Sequence, residues 1–166
     1  MLTGKVFKFG DDISTDHIVP GRLLHLRSNL PELAEHVLED TDPSFTRNVK
    51  KGDFIVAGKN FGLGSSREHA PLVIKIAGVS AVLASSVARI FYRNAINVGL
   101  PVLICETESI NNGDELEIDL GSGKINNKTT GTELYFSSLP DIMLSILNEG
   151  GLVPYIKKYK NFVVSL

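Results

Sequence analysis

Apolar and polar positions alternate in short blocks along this chain. Phe54-Ile55-Val56-Ala57, Ala81-Val82-Leu83-Ala84 and Val102-Leu103-Ile104-Cys105 are continuous apolar runs. Such runs predict strands covered on both faces, as in a parallel sheet whose crossovers lay helices over it. Glu115-Leu116-Glu117-Ile118-Asp119-Leu120 instead alternates strictly and predicts a strand with one wet face. Further strands are expected over 5–9 and 134–136, and the run at 102 is expected to reach 106. Helices are expected over 31–39, 67–77, 86–94 and 140–148. Pro31 and Pro140 suit a first helical turn, and Gly150-Gly151 ends the last helix.

Alternation of strand and helix from 53 to 106 argues for an α/β fold around a partly parallel sheet. Beyond it, Gly113-Asp114, Gly121-Ser122-Gly123 and Gly131-Thr132 are turn signals that predict a small antiparallel addition. The polar stretch 39–44 reads as a surface loop. Without an internal repeat, a low-complexity tract or a linker, residues 1–166 are expected to form one domain.

Composition narrows the partners. With 43% hydrophobic and 22% charged residues the chain has a globular composition. A net charge of −2 offers no surface for a polyanion, and no basic stripe with interleaved aromatics points to nucleic acid. No segment reaches the apolar length of a membrane span, and the first residues lack the pattern of a secretory signal. A cytoplasmic location is the expectation. Cys105, the only cysteine, excludes an intramolecular disulfide and reads as an inert core thiol.

Candidate chemistry begins at Gly62-Leu63-Gly64-Ser65-Ser66-Arg67-Glu68-His69-Ala70, between a predicted strand and a predicted helix. Two glycines let the backbone turn and approach a ligand closely. The serines and arginine are then expected on the first turn of the helix, where unpaired N–H groups favour an anion. Arg67 can grip a carboxylate or phosphate with a bidentate fork. A second reading of the same spacing is a capping box between Ser65 and Glu68. The dinucleotide fingerprint is excluded because Arg67 replaces its third glycine, and no Gly-Lys-Ser/Thr phosphate loop is present.

A second polar cluster, Gly10-Asp11-Asp12-Ile13-Ser14-Thr15-Asp16-His17, follows the first predicted strand. Turn chemistry accounts for its Asp, Ser and Gly residues but not for the adjacent Asp16-His17, since His has no special turn role. A Ser-His-Asp hydrolase is a poor match, because adjacent residues rarely face each other and no Gly-x-Ser-x-Gly elbow exists.

Together, Ile13-Ser14-Thr15-Asp16-His17-Ile18 and Gly64-Ser65-Ser66-Arg67-Glu68-His69-Ala70 resemble the two signatures of the swivel domain of the aconitase superfamily. The segment 88–101, Ala-Arg-Ile-Phe-Tyr-Arg-Asn-Ala-Ile-Asn-Val-Gly-Leu-Pro, resembles the separate small subunits of isopropylmalate dehydratase and of homoaconitase. The resemblance covers nearly the whole chain and implies a swivelling β/β/α fold. It also implies dehydration and rehydration of a hydroxylated di- or tricarboxylic acid, with the hydroxyl moving to the neighbouring carbon.

By that resemblance Ser65 is the base, and Asp16 and His17 support the site through hydrogen bonds and proton handling. Ser66 and Arg67 hold substrate. Arg27 lies in the loop that distinguishes substrates among members. There it would pair with a distal carboxylate, whereas Leu23, Leu24 and Leu26 would line an apolar pocket for an isopropyl group. The 4Fe-4S cluster of this superfamily needs several thiolates, which one cysteine cannot supply. The chain is therefore expected to bind no metal itself and to work with a large subunit that carries the cluster. Arg89, Arg93, Asn94 and Asn97 are read as anchoring a subunit interface or a helix end. His25 and His36 are read as loop residues without companions at metal-ligand spacing.

Rival readings are a homoaconitase-type small subunit, a carboxylate- or phosphate-binding module without chemistry, and a structural partner for a large subunit.

Overall fold

The computed structural model describes residues 1–160. Seven strands form one mixed sheet in the order β4-β3-β2-β1-β5-β6-β7. β1 (Leu2–Lys8), β2 (Phe54–Ala57), β3 (Ala81–Ala84) and β4 (Val102–Ile104) run parallel, each beside its predecessor. β5 (Glu115–Asp119), β6 (Lys124–Asn127) and β7 (Glu133–Tyr135) add an antiparallel extension on the other side of β1. The two ends of the sheet meet at one corner. There Cys105 bridges Phe136, and the Ser137 N–H donates to the Ile104 carbonyl at 3.1 Å. The sheet is thus curled rather than flat.

Parallel neighbours need crossovers long enough to hold helices. α1 (Thr15–Ile18), a 3-10 helix (Gly21–Ser28), α2 (Leu30–Ala34) and α3 (Phe45–Asn48) lie between β1 and β2. α4 (His69–Ile76) joins β2 to β3, and α5 (Arg89–Asn97) joins β3 to β4. α6 (Asp141–Asn148) and α7 (Leu152–Tyr159) follow the last strand. No helix among the described residues is long and apolar enough to cross a membrane.

Period-two alternation explains the continuous apolar runs, because both faces of the parallel strands are buried. Ile55, Ala57, Val82 and Ala84 pack with Phe45, Leu33, Val73 and Ile74 on one face. Phe54, Val56, Ala81 and Leu83 pack with Ile146, Leu147 and Tyr155 on the other. In β5, Leu116 and Ile118 are buried while the acidic residues between them stay outside, as the alternation predicts. Burying a side chain of this kind contributes roughly 1.5–3 kcal/mol.

Several boundaries differ from expectation. The helix expected from residue 67 begins at His69, and the one expected over 86–94 runs from Arg89 to Asn97. The helix expected over 31–39 ends at Ala34. β4 stops at Ile104, two residues short of the expected end. β6, α1, α3, α7 and the 3-10 helix were not foreseen. Cys105 is buried at the corner of the sheet, and burial pushes its thiol up to about 12.

Candidate active site at the rim of the parallel strands

The loops that leave the C-terminal ends of β1, β2 and β3 meet at one rim, the place where open α/β sheets hold ligands. Short backbone bonds lock them together. The Gly62 N–H donates to the Ile13 carbonyl at 2.7 Å, and the Thr15 N–H donates to the Leu63 carbonyl at 2.9 Å. The Ala88 N–H donates to the Phe61 carbonyl at 2.9 Å. Gly62 has φ +79°, and a Cβ there would collide with the Phe91 ring. Gly64 has φ +106°, again a backbone that L side chains rarely adopt. Both glycines are therefore required by the turn itself.

A cavity of about 210 Å³ opens between these loops. Thr15, Gly64, Ser65, Ser66 and Arg67 line one side, and Arg89, Ile90, Phe91 and Asn94 line the other. Ser65 and Ser66 lie in irregular backbone ahead of α4, not on its first turn. The Ser65 carbonyl is tied down in this turn, accepting from the Thr15 hydroxyl at 2.9 Å and from the Arg67 N–H at 2.9 Å. The Ser65–Glu68 capping box does not form, for α4 carries no side-chain cap. The hydroxyls of Ser65 and Ser66 have no hydrogen-bond partner among the described residues and are exposed to solvent.

The capping box lies instead at Ser14 and His17. Ser14 Oγ accepts from the His17 N–H at 3.2 Å, and His17 Nδ1 accepts from the Ser14 N–H at 2.9 Å. His17 thus plays the reciprocal part usually taken by Glu or Gln. That is a turn role which the residue type alone concealed. Because Nδ1 accepts from a backbone N–H, the neutral ring carries its proton on Nε2.

Asp16 reaches the cavity through Arg67. Arg67 Nη1 donates to Asp16 Oδ1 at 2.8 Å and to the Val19 carbonyl at 2.5 Å. Asp16 Oδ1 also accepts from the Gly21 N–H at 3.0 Å. The Arg67 hydrogen bond, aided by Gly21, holds the Asp16 carboxyl below its ordinary range. Arg67 is therefore fixed by one edge of its fork. Asp16 orients that arginine and His17 caps the short helix beside it, but neither lines the cavity.

Arg27 is exposed on the 3-10 helix and does not line the cavity. Leu23, Leu24 and Leu26 pack against the core and do not line it either. Arg22, unremarked in the sequence, pairs with Glu39 at 2.7 Å and Asp40 at 2.6 Å and fastens that segment to the next. Arg89 and Asn94, expected as anchors of an interface or a helix end, line the cavity, together with Ile90, which the sequence did not single out. Ile90 is 44% exposed at the cavity. No spacing signal marks them, because what brings them there is the start of α5 beneath the Gly62 turn.

Residues 22–107 match the aconitase C-terminal domain family. A small subunit of 3-isopropylmalate dehydratase from Archaeoglobus fulgidus is 68% identical over 95% of this chain and 96% of its own length. The isopropylmalate/citramalate isomerase small subunit of Methanocaldococcus jannaschii is 54% identical over 95% of each chain. A crystal structure of 3-isopropylmalate dehydratase from M. jannaschii superposes with a TM-score of 0.92 at 47% identity, covering 96% of this chain and 95% of that one. These features define an aconitase-type swivel domain, with the curled mixed sheet and rim site in place. The chain belongs to the aconitase C-terminal domain family, and within it to the small subunits of 3-isopropylmalate dehydratase.

Proposed function

We propose that the chain is the small half of a two-chain, cytoplasmic hydro-lyase that interconverts 2-isopropylmalate and 3-isopropylmalate by dehydration and rehydration. One observation carries the chemistry: the unpartnered Ser65 hydroxyl shares a cavity with a guanidinium pinned by Asp16. In this reading Ser65 acts as its alkoxide, its own proton given up to solvent before the site closes. Oγ takes the proton from the carbon next to a substrate carboxylate, and the hydroxyl of the neighbouring carbon departs as water to leave an enoic intermediate. Rehydration adds the hydroxyl and the proton back with their positions exchanged. Arg67 holds that carboxylate with the part of its fork that Asp16 leaves free, and Ser66 adds a hydrogen bond. A serine hydroxyl gives up its own proton far too reluctantly to act in water. Fixed donors and a guanidinium aimed at the developing oxyanion make the transfer feasible in a closed site. His17, with Nε2–H free, is available to the half of the site that the partner brings.

The chain's own residues do not fit an iron–sulfur cluster. Its single cysteine is buried and stays a thiol at neutral pH, since burial pushes it up to about 12. The reading accordingly assigns the cluster to the large subunit.

Substrate choice follows from what faces the cavity. Arg27 stands outside it, which supports the dicarboxylate isopropylmalate over a homocitrate-type tricarboxylate. Among the exposed apolar residues, Ile90 offers the cavity a surface suited to a hydrocarbon branch.

The test is reconstitution. The isolated chain should show no dehydratase turnover, and activity on isopropylmalate should appear when the anaerobically assembled large subunit is added. Turnover by this chain alone would overturn the reading, as would a preference for homocitrate that Arg27→Val removes.

A further inference from the structure

A dicarboxylate bound beside Ser65 brings two negative charges into a cavity of about 210 Å³. Arg67 is partly neutralised already, since its Nη1 is shared between Asp16 and the Val19 carbonyl. Among the described residues, the one charged side chain lining the cavity apart from Arg67 is Arg89. Its situation is the reverse of that of Arg67. Arg89 is exposed and makes no hydrogen bond or ion pair among the described residues. It occupies the first position of α5, a helix with no side-chain cap, so the backbone N–H groups of the opening turn reinforce its positive field. No carboxylate among the described residues lines the cavity to compensate that charge.

An arginine kept free of partners at a ligand cavity retains its whole fork for a planar anion. The neighbouring lining residues suit the same ligand. Asn94 supplies a neutral hydrogen-bonding amide, and Ile90 an apolar surface beside the charge. We propose that Arg89 is a substrate-binding residue that takes the second carboxylate of the substrate, on the wall of the cavity formed by α5. The proposal rests on the dehydratase reading and adds to it a division of labour. Arg67 is the fixed clamp next to the base, and Arg89 is the free clamp that closes on the far end of the substrate.

The experiment uses the assembled two-chain enzyme with Arg89→Gln and Arg89→Lys. Because Arg89 is exposed and unpartnered, both variants should melt as the parent does. Loss of a charge-assisted pair should raise KM for isopropylmalate on the order of 10- to 100-fold in Arg89→Gln, with a smaller change in kcat. Arg89→Lys should recover part of that loss, and sedimentation should show unchanged assembly with the large subunit. An unchanged KM in Arg89→Gln would overturn the proposal, as would a rise in KM that disappears at saturating large subunit. A parallel Ser65→Ala control separates the two layers of the argument. If that control is inactive while Arg89→Gln has a normal KM, the Arg89 assignment alone falls. If Ser65→Ala keeps full turnover, the dehydratase reading falls and takes Arg89 with it.

Discussion

Between β1 and β4 each connection crosses a face of the sheet, whereas β5, β6 and β7 are joined by short turns along one edge. The consequences for polar groups are opposite. In the antiparallel half they are consumed internally. Asn127 Nδ2 donates to Asp114 Oδ2 at 2.7 Å, and Asn127 Oδ1 accepts from the N–H groups of Thr129 and Thr130. Asp119 Oδ1 likewise takes the Gly121 N–H at 3.0 Å. At the rim of the parallel half, backbone bonds fix the loops while the Ser65, Ser66 and Arg89 side chains have no partner among the described residues. In this fold the crossover loops after β1, β2 and β3 converge on one rim from distant parts of the sequence. The proposed chemistry lies where polar groups are positioned by the backbone yet left unsatisfied.

The sharpest way to break this contrast is Ser65→Ala. The residue is exposed and its hydroxyl holds nothing in the fold, so stability should change by less than about 0.5 kcal/mol. Turnover in the assembled enzyme should drop by at least roughly 100-fold if the hydroxyl is the base. Thermal melting and kcat measured side by side decide it; a rate near that of the parent would strip Ser65 of that role.

Arg67→Lys comes next. An ammonium cannot keep the Asp16 and Val19 contacts while offering a two-pronged face to a carboxylate. We expect kcat/KM to fall on the order of 10- to 100-fold, from the loss of charge-assisted bonds. Near-normal substrate affinity in that variant would show that Arg67 does not hold substrate.

Asn127→Ala should give the mirror image in the antiparallel half. It strands buried Asp114 with a single partner and frees two turn N–H groups, for a loss of about 2–3 kcal/mol. Denaturant melts should record that loss while kcat of the assembled enzyme stays level. A large kcat effect without destabilisation would erase the distinction between the two halves.

The smallest effect concerns pH. Asp16 is depressed below its ordinary 3.8 by the Arg67 hydrogen bond. A carboxyl of this kind contributes stability that is complete above the unfolded value and is lost as pH falls through the folded one. The difference in melting temperature between the parent and Asp16→Asn should therefore be constant from about pH 5 to 8 and vanish only in strong acid. A difference that changes near neutrality would mean that Asp16 is not held by Arg67.

These contrasts also explain what was legible in the sequence. β2 and β3 appear where the apolar runs put them, because burial on both faces leaves an unbroken signature. β6 was hidden because Lys-Ile-Asn-Asn looks polar, and its inward Asn127 is buried with its amide paired to Asp114 and to the Thr129 and Thr130 N–H groups. α1 was hidden because His17 serves as the far side of a capping box. Ser65, Ser66 and Arg67 were visible as a motif, and the cavity does gather them. Arg89 and Asn94 were visible as polar residues but not as cavity lining, and Ile90 not at all, since their place depends on packing Phe91 beneath Gly62, a contact between residues far apart in the chain.

The central claim is that substrate is held by the rim of the parallel strands. Amide hydrogen exchange on the assembled enzyme, with and without isopropylmalate, tests it most directly. Substrate should add protection in segments 14–17, 62–68 and 88–94 and leave 115–135 unchanged. Protection that appears in the hairpins, or bypasses 62–68, would contradict the account.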